Sequence, residues 1–207
     1  MNIGDIFAVL CVILVSMTLH EAIHGYVAYW LGDDTAEREG RLTLNPLKHI
    51  DPFLTIILPV LLAVMHAPIF GGAKPVPFNP TRVRYGEWGA ALVALAGPLT
   101  NLLIAFLCFG IWVVTGQDQG GIGSVLLLAV GVNLGFFVFN MIPIPPLDGS
   151  RVIYALAPEF VRRGMEVMEQ YGILVVFAVV LFAQQALYAF MSGSINFFLH
   201  IFTTIFA

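Results

Sequence analysis

Two histidines four residues apart enclose a glutamate in the segment His20-Glu21-Ala22-Ile23-His24. On a helix, positions i and i+4 share a face, so both imidazoles can point at one ion. Two neutral imidazole nitrogens suit Zn2+, and a glutamate beside the first can act as general base towards a metal-bound water. Glu21 is the only charged side chain between positions 6 and 32. An ionisable group at membrane depth costs several kcal/mol, and a bound cation would compensate three of them at once. The alternative is a metal-free cluster of interhelical hydrogen bonds. A catalytic zinc commonly takes three protein ligands, so the two histidines leave it one short. Asp148 is the candidate third, the only acid between Asp118 and Glu159. It follows the proline-rich run Ile142-Pro143-Ile144-Pro145-Pro146-Leu147. Backbone unwound by prolines is tolerated at membrane depth only where it is buried in protein or lines a wet cavity. By itself an aspartate before a glycine is a turn residue, so the assignment rests on the combination.

The elements that must carry these groups are set by composition. Of 207 residues, 59% are apolar and 11% are charged, less than half the roughly 25% of a soluble domain. The net charge of −4 leaves no footprint for nucleic acid. Charge-free runs cover 6–20, 22–32, 52–73, 88–117, 119–147 and 170–207, and a bilayer span needs about 20 mostly apolar residues. The expectation is an all-α polytopic membrane protein with four to six transmembrane helices. The first helix should run from Ile3 to Leu31, retained because no Lys or Arg precedes Arg38. The run 53–70 is broken by Pro59 and Pro68, and 71–80 is too rich in Gly and Pro for helix. Long helices are expected at 88–115 and 122–142, a surface helix over 158–169 and a span at 171–191. Ser192-Gly193-Ser194 should then introduce a separate apolar tail. Cys11 and Cys108 lie in apolar runs and form no CxxC pair.

All nine bases lie in three places: Arg38, Arg41 and Lys48; Lys74, Arg82 and Arg84; Arg151, Arg162 and Arg163. Bases near span ends mark the cytoplasmic side. One arrangement puts all nine inside, with the N-terminus outside and 53–70 re-entrant. His24 lies nine residues before Asp33, about 13 Å along a helix, and Asp148 follows an inward-running span. Both therefore fall towards the inner face.

HEAIH in an apolar helix, GPLTN at 97–101 and NMIPIPPLDG at 140–149 resemble the site-2 protease family of intramembrane zinc metalloproteases. RLTLNPLKHIDP (41–52) and AKPVPFNP (73–80) are similar to its compact prokaryotic branch without a PDZ domain. The resemblance covers about 1–155. It implies that His20, His24 and Asp148 bind one zinc ion per chain and that Glu21 is the catalytic base. It also implies cleavage of transmembrane segments of single-span substrates near the cytoplasmic face of the cell membrane, as in regulated intramembrane proteolysis. The chain would then be one membrane-embedded protease domain, 1–207, with a catalytic core to about 155 and accessory helices over 156–207. Ser150 and Gly72 depart from the family pattern, which often has Gly and Trp there, and the extra leading span of some relatives is not expected here. Selection of substrates would fall to the bilayer-embedded surface or to a regulatory membrane partner.

Asn140 and Asn101 are amides inside apolar helices. Either can hydrogen-bond a substrate carbonyl or the developing oxyanion, or simply join two helices; Asn140, two turns from Asp148, is the better catalytic candidate. The extended segments 41–45 and 74–79 are expected as short strands at membrane level, offering edges to an unwound substrate. His49 and His66 are second-rank candidates for a gate, with a plain interfacial role as the alternative, and His200 lies in the tail. Two other classes compete: a metal transporter, which should show repeated halves that this sequence lacks, and an inactive relative, which should have lost Glu21 or a ligand.

Overall fold

The computed structural model describes residues 3–64, 72–117 and 120–206, and these are mostly helical. Helix α1 (Ile3–Trp30) carries the HEAIH segment in its C-terminal half. It ends as glycine-capped helices do: Gly32 takes φ +103°, and the N–H groups of Gly32 and Asp33 bond back to Tyr29 and Ala28. Asp33, fully buried, then accepts from both the N–H and the hydroxyl of Thr35, starting the short α2 (Thr35–Arg38). A 3-10 turn at Pro46–Lys48 follows. Asp51 next caps a π-helical turn (Pro52–Ile57) that runs on as α3 (Leu58–Val64). Its thirteen described residues reach about 20 Å. The chain is described again from Gly72, whose N–H donates to Leu54 O and whose carbonyl accepts from Thr55 Oγ1. His66 and Pro68 lie outside the described residues.

The strands expected at 41–45 and 74–79 do not form; the described residues contain no strand. Thr43 N–H turns back onto Arg41 O, and Pro75 and Pro77 leave Val76 as the sole N–H donor of 75–77. With no row of donors there is no ladder. The segment 72–79 lies instead as a strap, fastened by single bonds. Lys74 N–H donates to His49 O, the buried Arg41 guanidinium donates to Lys74 O at 2.8 Å, and Asn79 N–H donates to Asp33.

Helix α4 (Glu87–Val114) is the centre of the bundle, packed on α1 and on α5 (Gly121–Asn140). Its inner face is a stripe of small residues, Ala90, Ala94, Gly97 and Ala105, and its exposed face carries Leu92, Leu99, Leu103, Leu107 and Ile111. Large side chains outside and small ones inside is the pattern of helices that pack closely in lipid. A tight turn then leads to α6 (Asp148–Leu156), α7 (Glu159–Gln170) and α8 (Gly172–Phe182). Tyr154 donates to Glu166, which pushes the phenol up to about 12, and Arg151 pairs with Glu169. Together these pin α6 to α7, while α7 and α8 meet at 86°.

The C-terminal region differs from expectation. The break falls at Ala183, and Ser192-Gly193-Ser194 lies within one helix, α9 (Gln184–Phe206). Serine hydroxyls can bond back along a helix, as Ser192 does to Ala189 O, and glycine is common in membrane helices. The SGS signal therefore did not end this one. Phe198 packs on Phe137, and Phe202 and Phe206 pack on Phe106 and Phe109. Among the described residues, four helices, α1, α4, α5 and α9, are long and apolar enough to cross a membrane, and the bent α7–α8 pair allows a fifth. The chain is an all-α, multi-pass membrane protein.

Candidate metal centre

The site is built on α1, where one helical turn separates His20 from His24 and both imidazoles are buried. They face α4 at Gly97, where an added Cβ would lie 2.3 Å from His24 Nε2 and 2.7 Å from His20 Cε1. Only a glycine lets the helices approach this closely. Asp148 arrives as the first residue of α6. The following Gly149 makes that possible, since a Cβ there would sit 2.4 Å from Met141 O, in the turn that joins α5 to α6.

Three atoms converge. His20 Nε2 and His24 Nε2 are 3.1 Å apart, and Asp148 Oδ2 lies 3.2 Å from the first and 3.5 Å from the second. Four ligands placed tetrahedrally at roughly 2.0–2.1 Å from zinc would be about 3.3 Å from one another, so the triangle has the size that zinc requires. Asp148 Oδ2 is buried and has no hydrogen-bond partner. Both imidazoles use their other nitrogen elsewhere: His24 Nδ1 is 2.7 Å from Val93 O, and His20 Nδ1 is 2.6 Å from Asn101 Oδ1. Each of those partners accepts, so each Nδ1 carries a proton and each Nε2 is the nitrogen turned to the shared space. Two lone pairs and a carboxylate oxygen at these distances need a cation among them: a proton when metal-free, a metal ion when loaded. Among the described residues, these three form the one cluster of His, Cys, Asp or Glu able to hold a metal ion.

Glu21 stands beside this triangle, half-buried, with Oε2 accepting from Val76 N–H at 3.0 Å. The strap is thus anchored directly on the glutamate. Asn140 is not tied to the other four: its Nδ2 donates to Phe136 O, one turn back in its own helix. Asn101 is fully buried, with its Oδ1 on His20 and its Nδ2 on Asn133, so it is not placed to meet a substrate. His49 is fully buried, donating from Nε2 to Thr43 O. Sequence reasoning passed over Asn133, Ser16, Arg41 and Val76. The first two carry a readable signal, polar side chains in apolar helices; the strap contacts carry none, because a backbone N–H has no residue type.

An apolar helical bundle that brings two buried histidines and a half-buried aspartate around a space of zinc dimensions, with a glutamate alongside, is the design of a membrane metallopeptidase. Comparison with known proteins agrees. The model of Peptidase family M50 matches residues 117–183, the stretch containing α5, Asp148 and α6. The chain is 42% identical over 171 residues to "Putative zinc metalloprotease YwhC" of Bacillus subtilis, covering 79% of this chain and 75% of that one. It is 34% identical over 177 residues to "Putative zinc metalloprotease Rip2" of Mycolicibacterium smegmatis, covering 84% of this chain and 66% of that one. Rip2 of Mycobacterium tuberculosis is 32% identical over 188 residues, with 87% and 68% covered. No solved structure matches. The chain belongs to peptidase family M50, the site-2 protease family, and is a membrane-bound metalloprotease; membership implies zinc as its metal.

Proposed function

We propose that this chain is an intramembrane zinc endopeptidase that hydrolyses peptide bonds within or near the transmembrane segments of single-span membrane proteins. The observation that carries this reading is the convergence of His20 Nε2, His24 Nε2 and Asp148 Oδ2 inside an apolar bundle with Glu21 beside them. These three would hold one zinc ion. When bound, zinc supplies Lewis-acid polarisation of the scissile carbonyl and lowers the pKa of water to about 7.

The chain's own residues do the rest. Glu21 takes the proton as the water oxygen bonds to the carbonyl carbon, and returns it to the nitrogen as the C–N bond breaks. Val76 N–H holds Oε2 of that carboxylate, which leaves Oε1 to take the proton. Asn140, whose Nδ2 keeps a second hydrogen beyond the one on Phe136 O, is assigned to the substrate carbonyl. A helical substrate must unwind, because its carbonyls are hydrogen-bonded. Pairing of the unwound segment with 74–79 requires Val76 to leave Glu21, since Lys74 N–H, Val76 N–H and the carbonyls of Lys74 and Pro75 are already engaged.

The orientation follows from the bases, which cluster where α1 and α5 end and α4 begins. The positive-inside rule makes this end cytoplasmic and supports an active site towards the cytoplasmic face of the cell membrane. The bond between Gly72 and Leu54 supports a re-entrant 53–70 that leaves on the side it entered. The whole chain, 1–207, is then one membrane-embedded domain, with α7 to α9 as accessory helices.

The test compares wild type with Glu21→Gln for zinc content and for cleavage of a panel of single-span substrates. Zinc in both with cleavage in the wild type alone is expected. Absence of zinc from both, after gentle purification, would overturn the metal centre, and equal cleavage by both would remove Glu21 from the mechanism.

A further inference from the structure

Behind the metal centre a line of buried polar side chains runs away from the site across three helices. Asn101 on α4 takes His20 Nδ1 at 2.6 Å and passes its own Nδ2 to Asn133 Oδ1 on α5 at 2.8 Å. Asn133 Nδ2 continues to Ser16 Oγ on α1 and to Ala129 O, each at 2.9 Å. Asn101 and Asn133 are both fully buried, and Ser16 is 3% exposed. Such amides in an apolar bundle can serve merely to join helices, but here the direction of every bond is determined.

The direction is fixed at the far end. Ala129 O is a backbone carbonyl and can only accept, so the Asn133 group facing it is the NH2. Asn133 therefore turns its oxygen to Asn101, which must answer with its NH2. A weaker contact of Asn101 Nδ2 with Ser16 O, at 3.4 Å, agrees. That leaves Asn101 Oδ1 facing His20, so His20 carries its proton on Nδ1 and presents a bare Nε2 to the space shared with His24 and Asp148. His24 reaches the same state more simply, through the backbone carbonyl of Val93.

We propose that Asn133, which makes no hydrogen bond to any proposed ligand, is a positioning residue that sets the tautomer of His20 through Asn101 and thereby its fitness to bind zinc. The inference rests on the reading of His20 as a zinc ligand. Without an acceptor at 133, only the long contact to Ser16 O orients the Asn101 amide. Once that amide turns, its NH2 meets His20 Nδ1, the imidazole proton moves to Nε2, and the lone pair is lost. Partners one shell beyond a ligand of this kind commonly change metal affinity about 10- to 100-fold.

Two variants of the full chain separate acceptor from bulk: Asn133→Leu removes the acceptor, and Asn133→Asp keeps it. Nitrogen-15 spectra of the metal-free, histidine-labelled protein read each tautomer directly, and competition with a chelator reads zinc affinity. The wild type and Asn133→Asp should show His20 protonated on Nδ1. Asn133→Leu should shift His20 towards Nε2–H and bind zinc at least about tenfold more weakly, with His24 unchanged as the internal control. An unchanged His20 tautomer with wild-type affinity in Asn133→Leu would overturn the proposal, as would equal loss of zinc in both variants. If instead the wild type takes up no zinc while Asn133→Leu alone shifts the His20 tautomer, the metal-centre reading fails and the control by Asn133 stands.

Discussion

At Gly97 the absence of a side chain is a functional feature. An added methyl would meet both imidazoles at once, and neither can retreat, since each is bonded through Nδ1 to α4 itself. Gly97→Ala should therefore lower zinc affinity by about tenfold or more, measured by chelator competition. Gly135→Ala on α5, where a Cβ would meet nothing within 4 Å, should leave it unchanged. The two cases show what residue types in a sequence can and cannot announce. His20, Glu21 and His24 are visible because their relation is local, one turn of one helix. Asp148 could be reached by elimination, as the one acid in a long apolar stretch. The pairing of Asn133 with Asn101 is tertiary, fixed by how α4 meets α5, and no spacing along the chain encodes it. Asn101, expected as either a substrate contact or a helix joint, joins α4 to α1 and α5, and its partner on α1 is a ligand of the proposed metal.

Elements carry a second kind of control. The strap 72–79 has no secondary structure, yet it reaches Glu21, and its hold depends on Arg41, whose guanidinium is buried with Nε lacking a partner. Removing that side chain takes away the donor that holds the carbonyls of Lys74 and Pro75. In Arg41→Leu the strap should loosen, and hydrogen exchange at Val76, the only N–H of 75–77, should speed up about tenfold or more. Cleavage should slow while zinc affinity stays at the wild-type level, because Glu21 loses its support and the ligands do not. If cleavage were unchanged while Val76 exchanged faster, the strap would have no part in orienting Glu21. Helix positions followed closely from hydropathy: expected ends at Leu31, 88 and 122 fall within one residue of the observed 30, 87 and 121. The failures came where polar cues were trusted over context. Ser192-Gly193-Ser194 reads as a stop and lies inside α9, and the alternating strap segment reads as strand although its prolines remove the donors.

For the whole molecule, the decisive asymmetry is between its two ends. The bases lie in the connections where α1 and α5 end and α4 begins, or in α6 and α7, while the link from α4 to α5 at 115–121 contains no Lys or Arg. Trp30 and Trp88 are exposed at the same basic end, at 69% and 55%, where aromatic side chains suit a membrane–water boundary. The site shares this polarity: His24 is six residues from the end of α1, and Asp148 begins the helix that follows α5. A hydrolase within a bilayer needs water, so opening towards one face is a chemical requirement as much as a topological one. With Cys11 and Cys108 replaced by Ala, single cysteines at Arg163, 75% exposed, and at Thr115, in the α4–α5 link, should label oppositely. In intact cells a membrane-impermeant maleimide should modify the Thr115→Cys protein at once and the Arg163→Cys protein only after permeabilisation. The reverse pattern would place the metal centre towards the outer face and require substrates to be cut from that side. Labelling of both in intact cells would show that α5, the long helix between the two sites, does not cross, and the bundle would then need an arrangement in which the apolar face of α5 meets something other than lipid.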